Sequence, residues 1–148
     1  MSESNPIQVF VSHVFTESDD YLRVFEYLES VDRFYYVNVS DPDLAPDGGA
    51  EGFKEALRQQ IMASEAVVIL ASVYNQKRDW VDFQINAAKA MSKPILLIHA
   101  FGHVTASPGD LINKADEVVD WNEREIVDAL RKLARNEDTQ RWEVIDFP

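Results

Sequence analysis

A chain of 148 residues with 46% hydrophobic and 27% charged residues has the size and apolar content of one globular domain. Its formal net charge of -12 argues against a nucleic-acid backbone, which calls for a basic stripe, and against an anionic membrane surface. The absence of cysteine excludes disulfides, zinc ribbons and thiol nucleophiles.

Strand-like apolar runs alternate with helical periodicity along the chain. Met1 to Pro6 is polar and acidic, unlike a signal peptide. Ile7 to Ser12 (IQVFVS) predicts a first strand. Ser18 to Ser30 follows, with Tyr21, Leu22, Phe25 and Leu28 at helical spacing and Ser18 as the expected cap ahead of Asp19 and Asp20. Phe34 to Val39 (FYYVNV) is aromatic and β-branched and predicts a second strand. Ser40 to Ala50 (SDPDLAPDGGA), with two prolines and a Gly-Gly pair, reads as one long loop, and long loops in compact domains are often functional.

The second half repeats the alternation. Glu51 to Ala63 predicts a helix with Phe53, Leu57 and Ile61 on one face. Ala66 to Ala71 (AVVILA) is continuously apolar, which suits a central parallel strand and is too short to span a bilayer. Asp79 to Met91 predicts a third helix, with Asp79 as its expected cap. Pro94 to His99 (PILLIH) predicts a fourth strand, and Ala115 to Asp120 a weaker fifth. Glu123 to Arg135 predicts the last helix, burying Ile126, Val127, Leu130 and Leu133. The tail 136–148, with Trp142 and Phe147, is expected to pack back as a strap. The order implies a single α/β domain over residues 1–148, with its core at about 7–135. The sheet is expected to be flavodoxin-like, five-stranded and parallel, in the order 2-1-3-4-5, with helices on both faces. The chain reads as cytoplasmic.

In open α/β sheets ligands bind beyond the carboxyl ends of the strands, near the topological switch point. Three segments qualify: Ser12 to Ser18, Ser40 to Ala50, and Ser72 to Trp80. Several chemistries fail there. A phosphoacceptor Asp is missing from the end of the third strand, where Ala71 and Ser72 stand. Walker, GxGxxG and GxSxG motifs are absent, and the loop after the first strand lacks the glycine of a flavodoxin phosphate loop. His99 and His103 are four apart, but Gly102 and the strand end break helical spacing, so a metal role is not favoured.

One stretch is more specific. Ser72-Val-Tyr-Asn-Gln-Lys-Arg-Asp-Trp80-Val-Asp-Phe-Gln84-Ile-Asn-Ala resembles the third-strand, third-helix segment of TIR domains: Ser, an aromatic, a polar turn, then Trp, three residues and Glu. Val9-Phe10-Val11-Ser12-His13 is similar to that family's opening strand, and Lys93-Pro94-Ile95 to the start of its fourth. Glu117-Val-Val-Asp-Trp121-Asn122 resembles the prokaryotic branch that includes the TIR proteins of the Thoeris antiphage system. The resemblance covers roughly residues 7 to 135.

That resemblance implies an enzyme that splits the nicotinamide-ribose bond of NAD, which is substrate rather than cofactor. The product would be ADP-ribose, a cyclic isomer or another conjugate, serving as a signal for a partner effector. The resemblance also implies a nucleotide ligand of the NAD or ADP-ribose type and self-association through TIR-TIR contacts; no cofactor or metal is expected, and the acidic charge argues against a nucleic-acid or membrane partner. The alternative is a non-catalytic nucleotide-binding or scaffold module.

The family's catalytic Glu falls at Gln84. Breaking the N-glycosidic bond develops positive charge on the ribose, which a carboxylate stabilises and a neutral amide does not. Losing one such group costs on the order of 3 kcal/mol, a hundredfold or more in rate, so this chain is expected to be impaired. A natural pseudo-enzyme and a Glu-to-Gln change that traps a ligand are both consistent with the sequence.

Around Gln84 the candidate substrate-binding residues are Ser12, His13, Phe15, Ser40, Asp41, Asp47, Ser72, Tyr74 and Trp80. Each has a plainer reading. Trp80 and Gln84 share a helix face, and without the resemblance they read as core and solvated surface. His13 and Phe15 read equally as loop packing, and Asp41, Asp43 and Asp47 as solvated turn formers. Asp82 reads as surface charge and Trp121 as packing.

Overall fold

The computed structural model describes residues 1–102 and 106–137. The expected tail strap, with Trp142 and Phe147, lies outside the described residues, as does His103. Five strands form one parallel sheet in the order β2-β1-β3-β4-β5: Ile7–Val11 (β1), Tyr36–Asn38 (β2), Ala66–Leu70 (β3), Ile95–Ile98 (β4) and Glu117–Val119 (β5). The helices are Asp19–Glu29 (α1), Gly49–Met62 (α2), Ala71–Gln76 (α3), Arg78–Ala90 (α4), Gly109–Ile112 (α5) and Glu123–Arg135 (α6).

The sheet is ordered by burial. All five residues of β3 are fully buried, and so are the four of β4, which is why both read as unbroken apolar runs. β3 is hydrogen-bonded on both sides, with Val67 opposite Phe10 of β1 and Ile95 of β4. The edge strands β2 and β5 have three residues each, and short edges leave little unpaired backbone as a template for aggregation. β1 leads outward to β2 and β3 leads the other way to β4. Right-handed crossovers in opposite directions place their helices on opposite faces. Accordingly α1 packs with α6, and α2 packs with α4.

Helix ends follow local chemistry at some points and not at others. The Ser18 hydroxyl accepts from the Tyr21 N–H at 3.1 Å, with Asp19 and Asp20 in the first turn of α1. Asn122 caps α6 in the same way through the Glu125 N–H. Asp79 does not cap the helix that carries Gln84. α4 begins one residue earlier, after Lys77, without a side-chain cap, and Asp79 sits in its first turn. The segment from Ser72 to Trp80 is helical apart from Lys77. β3 runs straight into α3, which buries Ala71, Val73 and Tyr74. Six residues are too few to display a helical period, and burial against the body of the domain decides the conformation. α2 starts at Gly49, two residues before the expected Glu51. Gly48 and Gly49, at φ +96° and +60°, turn the chain into it.

Candidate active site

The carboxyl ends of β1 and β3 lie side by side at the switch point, and the chain after each bends over the sheet edge. β1 delivers Ser12 and His13, both buried. The Ser12 hydroxyl is turned into the sheet, where it accepts from the Leu70 N–H at 3.0 Å. His13 makes three different connections. Its Nδ1 accepts from the Phe15 N–H at 3.0 Å. Because that N–H only donates, the imidazole proton lies on Nε2, which donates to Gln60 Oε1 at 2.8 Å. Its main-chain carbonyl accepts from Gln84 Nε2 at 2.7 Å.

The ring is 1% exposed and lies among Phe10, Phe15 and Tyr21, at centroid distances of 5.6, 5.0 and 6.2 Å. Desolvation therefore lowers the pKa of His13 below the usual 6.5. The bond to Gln60 and the charge of Asp41 oppose that shift without cancelling it. His13 is accordingly a neutral, singly protonated imidazole at pH 7.

Gln84 comes from the middle of α4 and is 0% exposed. Of the plainer sequence reading, with Gln84 solvated and Trp80 in the core, the first half is reversed and the second holds in part, since Trp80 packs against the core. Trp80, one turn before Gln84, is only half-buried. Trp80 meets Phe53 of α2 edge-on at 6.2 Å, and Phe53 stacks on Phe15 at 4.8 Å. Phe15 holds φ +58°, a left-handed conformation unusual for a bulky side chain. This places its ring over the His13 imidazole and against Phe53.

The long loop forms the other wall. Ser40 is buried, and its hydroxyl bonds to the Tyr21 hydroxyl at 2.9 Å and to Asn38 Oδ1. Burial raises the pKa of the Tyr21 phenol, against the opposing effect of bonds from Ser40 and Asn38. Asp41 exposes its carboxylate but pins its backbone, with its N–H donating to Gln60 Oε1 at 2.9 Å. Asp47 is exposed at the start of α2. Its carbonyl lies so close to Gly52 that a Cβ there would approach to 1.8 Å.

The fold thus gathers His13, Phe15, Asp41 and Gln84 into one hydrogen-bonded cluster, with Trp80 joined through Phe53 and Ser40 through Tyr21. Ser12 supports it from below. Ser72 and Tyr74 lie on α3, where the Tyr74 ring receives the Arg78 guanidinium at 5.1 Å. Among the described residues, three buried side-chain polar atoms lack a hydrogen-bond partner: Ser72 Oγ, Tyr74 Oη and Gln84 Oε1. All three belong to the α3–α4 segment that carries the motif. Asp82 pairs with Lys114 at 3.4 Å, away from Gln84. Trp121 donates its indole N–H to the His99 carbonyl.

Sequence reasoning missed two residues, Gln60 and Phe53. Gln60 falls three residues after Leu57, on the apolar stripe of α2, and a polar residue inside such a stripe is a legible signal. Phe53 read as core, but it is partly exposed and supports the Phe15 ring.

An open groove of about 400 Å³ lined by Lys89, Lys93, Asp116 and Leu133 lies at the amino-terminal ends of β4 and β5, the opposite edge of the sheet. Among the described residues there is no group of three or more His, Asp or Glu placed to hold a metal, and no helix long and apolar enough to cross a membrane. A comparison with curated proteins gives no match. The family model described as Thoeris protein ThsB, TIR-like domain, matches residues 10–104, a span that begins in β1 and includes the switch point, the long loop, α3 and α4. With its parallel 2-1-3-4-5 sheet and more than half of its length matched, the chain belongs to the Thoeris ThsB TIR-like domain family.

Proposed function

We propose that this chain is a TIR-type component of bacterial antiphage defence whose site at Gln84 handles an NAD-type nucleotide, and that the chain as written cleaves NAD poorly or not at all. Family membership supports the defence role. The chemistry the resemblance implies is scission of the nicotinamide-ribose bond, yielding an ADP-ribose-derived signal for a partner effector. The observation that carries the impaired state is the environment of Gln84. Its amide, at the family's Glu position, is buried and donates to a carbonyl, a bond that a carboxylate cannot make. Gln84 Oε1, Ser72 Oγ and Tyr74 Oη supply unused hydrogen-bonding capacity, which supports a hydroxyl-rich ligand.

The same buried amide favours a second reading, in which position 84 is purely structural and the domain acts as a nucleotide-binding or TIR-TIR scaffold module. Nicotinamide release from NAD, measured for the native chain and for Gln84→Glu, separates them. The first reading expects at least a hundredfold gain for the Glu variant. Inert Glu protein that is folded and still gains thermal stability with NAD would support binding without catalysis. No stabilisation of the native chain by millimolar NAD or ADP-ribose would overturn the nucleotide site.

A further inference from the structure

We propose that Gln60 is the positioning residue of this site: one amide oxygen on α2 fixes the Nε2–H tautomer of His13 and holds the long loop at Asp41, so that the loop after β1 and the loop after β2 are tied together. Relevance to nucleotide handling rests on the reading above, but the positioning itself does not.

The directions of the hydrogen bonds carry the inference. Gln60 Oε1 accepts twice, from His13 Nε2 at 2.8 Å and from the Asp41 N–H at 2.9 Å, while Gln60 Nε2 donates to the Asp41 carbonyl at 3.4 Å. Every partner is compatible with a single tautomer, because the Phe15 N–H already occupies His13 Nδ1. Both acceptor bonds are short, and Gln60 is 8% exposed, so water has little access to replace them. One side chain on a helix therefore ties the loop after β1, which carries Phe15, to the loop after β2, which carries Asp41. The Gln84 amide holds the same residue, His13, from the other side through its carbonyl. An apolar residue at 60 would leave the Nε2–H and the Asp41 N–H without an acceptor. A Glu would keep both acceptor bonds, lose the long bond to the Asp41 carbonyl and place a negative charge beside the imidazole.

Two variants of the full chain, Gln60→Leu and Gln60→Glu, test this with nitrogen NMR of the imidazole and amide hydrogen exchange. In the native chain His13 is expected as the Nε2–H tautomer. In Gln60→Leu the exchange of both the Asp41 and Phe15 amides should quicken at least tenfold, with β3 and β4 amides unchanged, and the His13 tautomer should become mixed. Gln60→Glu should keep both amides slow and raise the His13 pKa above that of the native chain. The inference is overturned if Phe15 exchange stays native in Gln60→Leu, or if the His13 pKa does not rise in Gln60→Glu. The second readout also decides the matter should the Leu variant fail to fold. Thermal shift with NAD, run on the same proteins, reports separately. A native chain that does not respond counts against the nucleotide reading, while the tautomer and exchange data still decide the role of Gln60.

Discussion

The side-chain amide of Gln84 donates to the main-chain carbonyl of His13 at 2.7 Å, across 71 residues of sequence. It joins the middle of α4 to the first residues after β1. The position at which the family resemblance places a carboxylate is here a structural tie as well as a candidate site residue. Replacing it therefore has a stability consequence as well as a catalytic one.

Gln84→Glu sets a carboxyl oxygen against the His13 carbonyl oxygen in a site closed to water. The expected loss at neutral pH is about 1–3 kcal/mol. Burial and the facing carbonyl raise the pKa of the new carboxyl above its unfolded value of roughly 4.3. Its protonated form donates to His13 as the amide does. The variant should therefore approach native stability below the unfolded-state pKa and lose it as pH rises through the folded-state value. Denaturant unfolding of both proteins at pH 4 and pH 7.5 measures this. A deficit of equal size at both pH values would contradict it.

His13 gives the native chain a pH dependence of its own. Its folded-state pKa lies below 6.5, chiefly through burial, with Asp41 the charged neighbour that opposes the shift. On acidification the unfolded chain takes up the proton first. The stability that rests on the neutral ring is complete above pH 6.5 and is lost as pH falls from there toward the folded-state value, at a slope of at most about 1.4 kcal/mol per pH unit. In His13→Gln this part of the slope should vanish. Unfolding free energies of the two proteins from pH 7.5 to 5 provide the comparison, and parallel curves would refute the assignment.

Ser12 was a candidate substrate contact, but its hydroxyl accepts from the Leu70 N–H inside the sheet. Ser12→Ala leaves that N–H buried without an acceptor, at an expected cost of about 1–3 kcal/mol. Any stabilisation by NAD should be the same as in the native chain. A native-like melting temperature combined with a lost NAD response would instead assign Ser12 to the ligand.

Gly52 tests how the long loop is fastened to α2. An added Cβ would lie 1.8 Å from the Asp47 carbonyl oxygen, so the loop or the first turn of α2 must shift. Gly52→Ala should destabilise the protein by about 1–3 kcal/mol. Gly109→Ala, where nothing lies within 4 Å, serves as the control and should be close to neutral. Equal melting temperatures for the two variants would contradict the close approach.

The sequence by itself determined the sheet and the neighbourhood of the candidate site. Continuous apolar runs at Ala66–Leu70 and Ile95–Ile98 specify strands buried on both faces, because no polar residue interrupts them. Ser18 and the helical stripe after it specify α1 through local hydrogen bonding and periodicity. The strand order then put the loops after β1, β2 and β3 at one edge, and the Trp80 to Gln84 spacing marked the helix beside them. Only the tertiary structure decided what those residues do to one another. The ties from Gln60 to His13 and from Gln84 to the His13 carbonyl span 47 and 71 residues, and a sequence pattern carries no information about such partners. α3 was hidden for a related reason, since six residues are too few to show a helical period and only docking decides that Ala71, Val73 and Tyr74 are buried. Whether Gln84 meets solvent or a carbonyl is likewise a matter of burial, set by how α4 packs against the end of β1, and that contact makes its amide a structural tie.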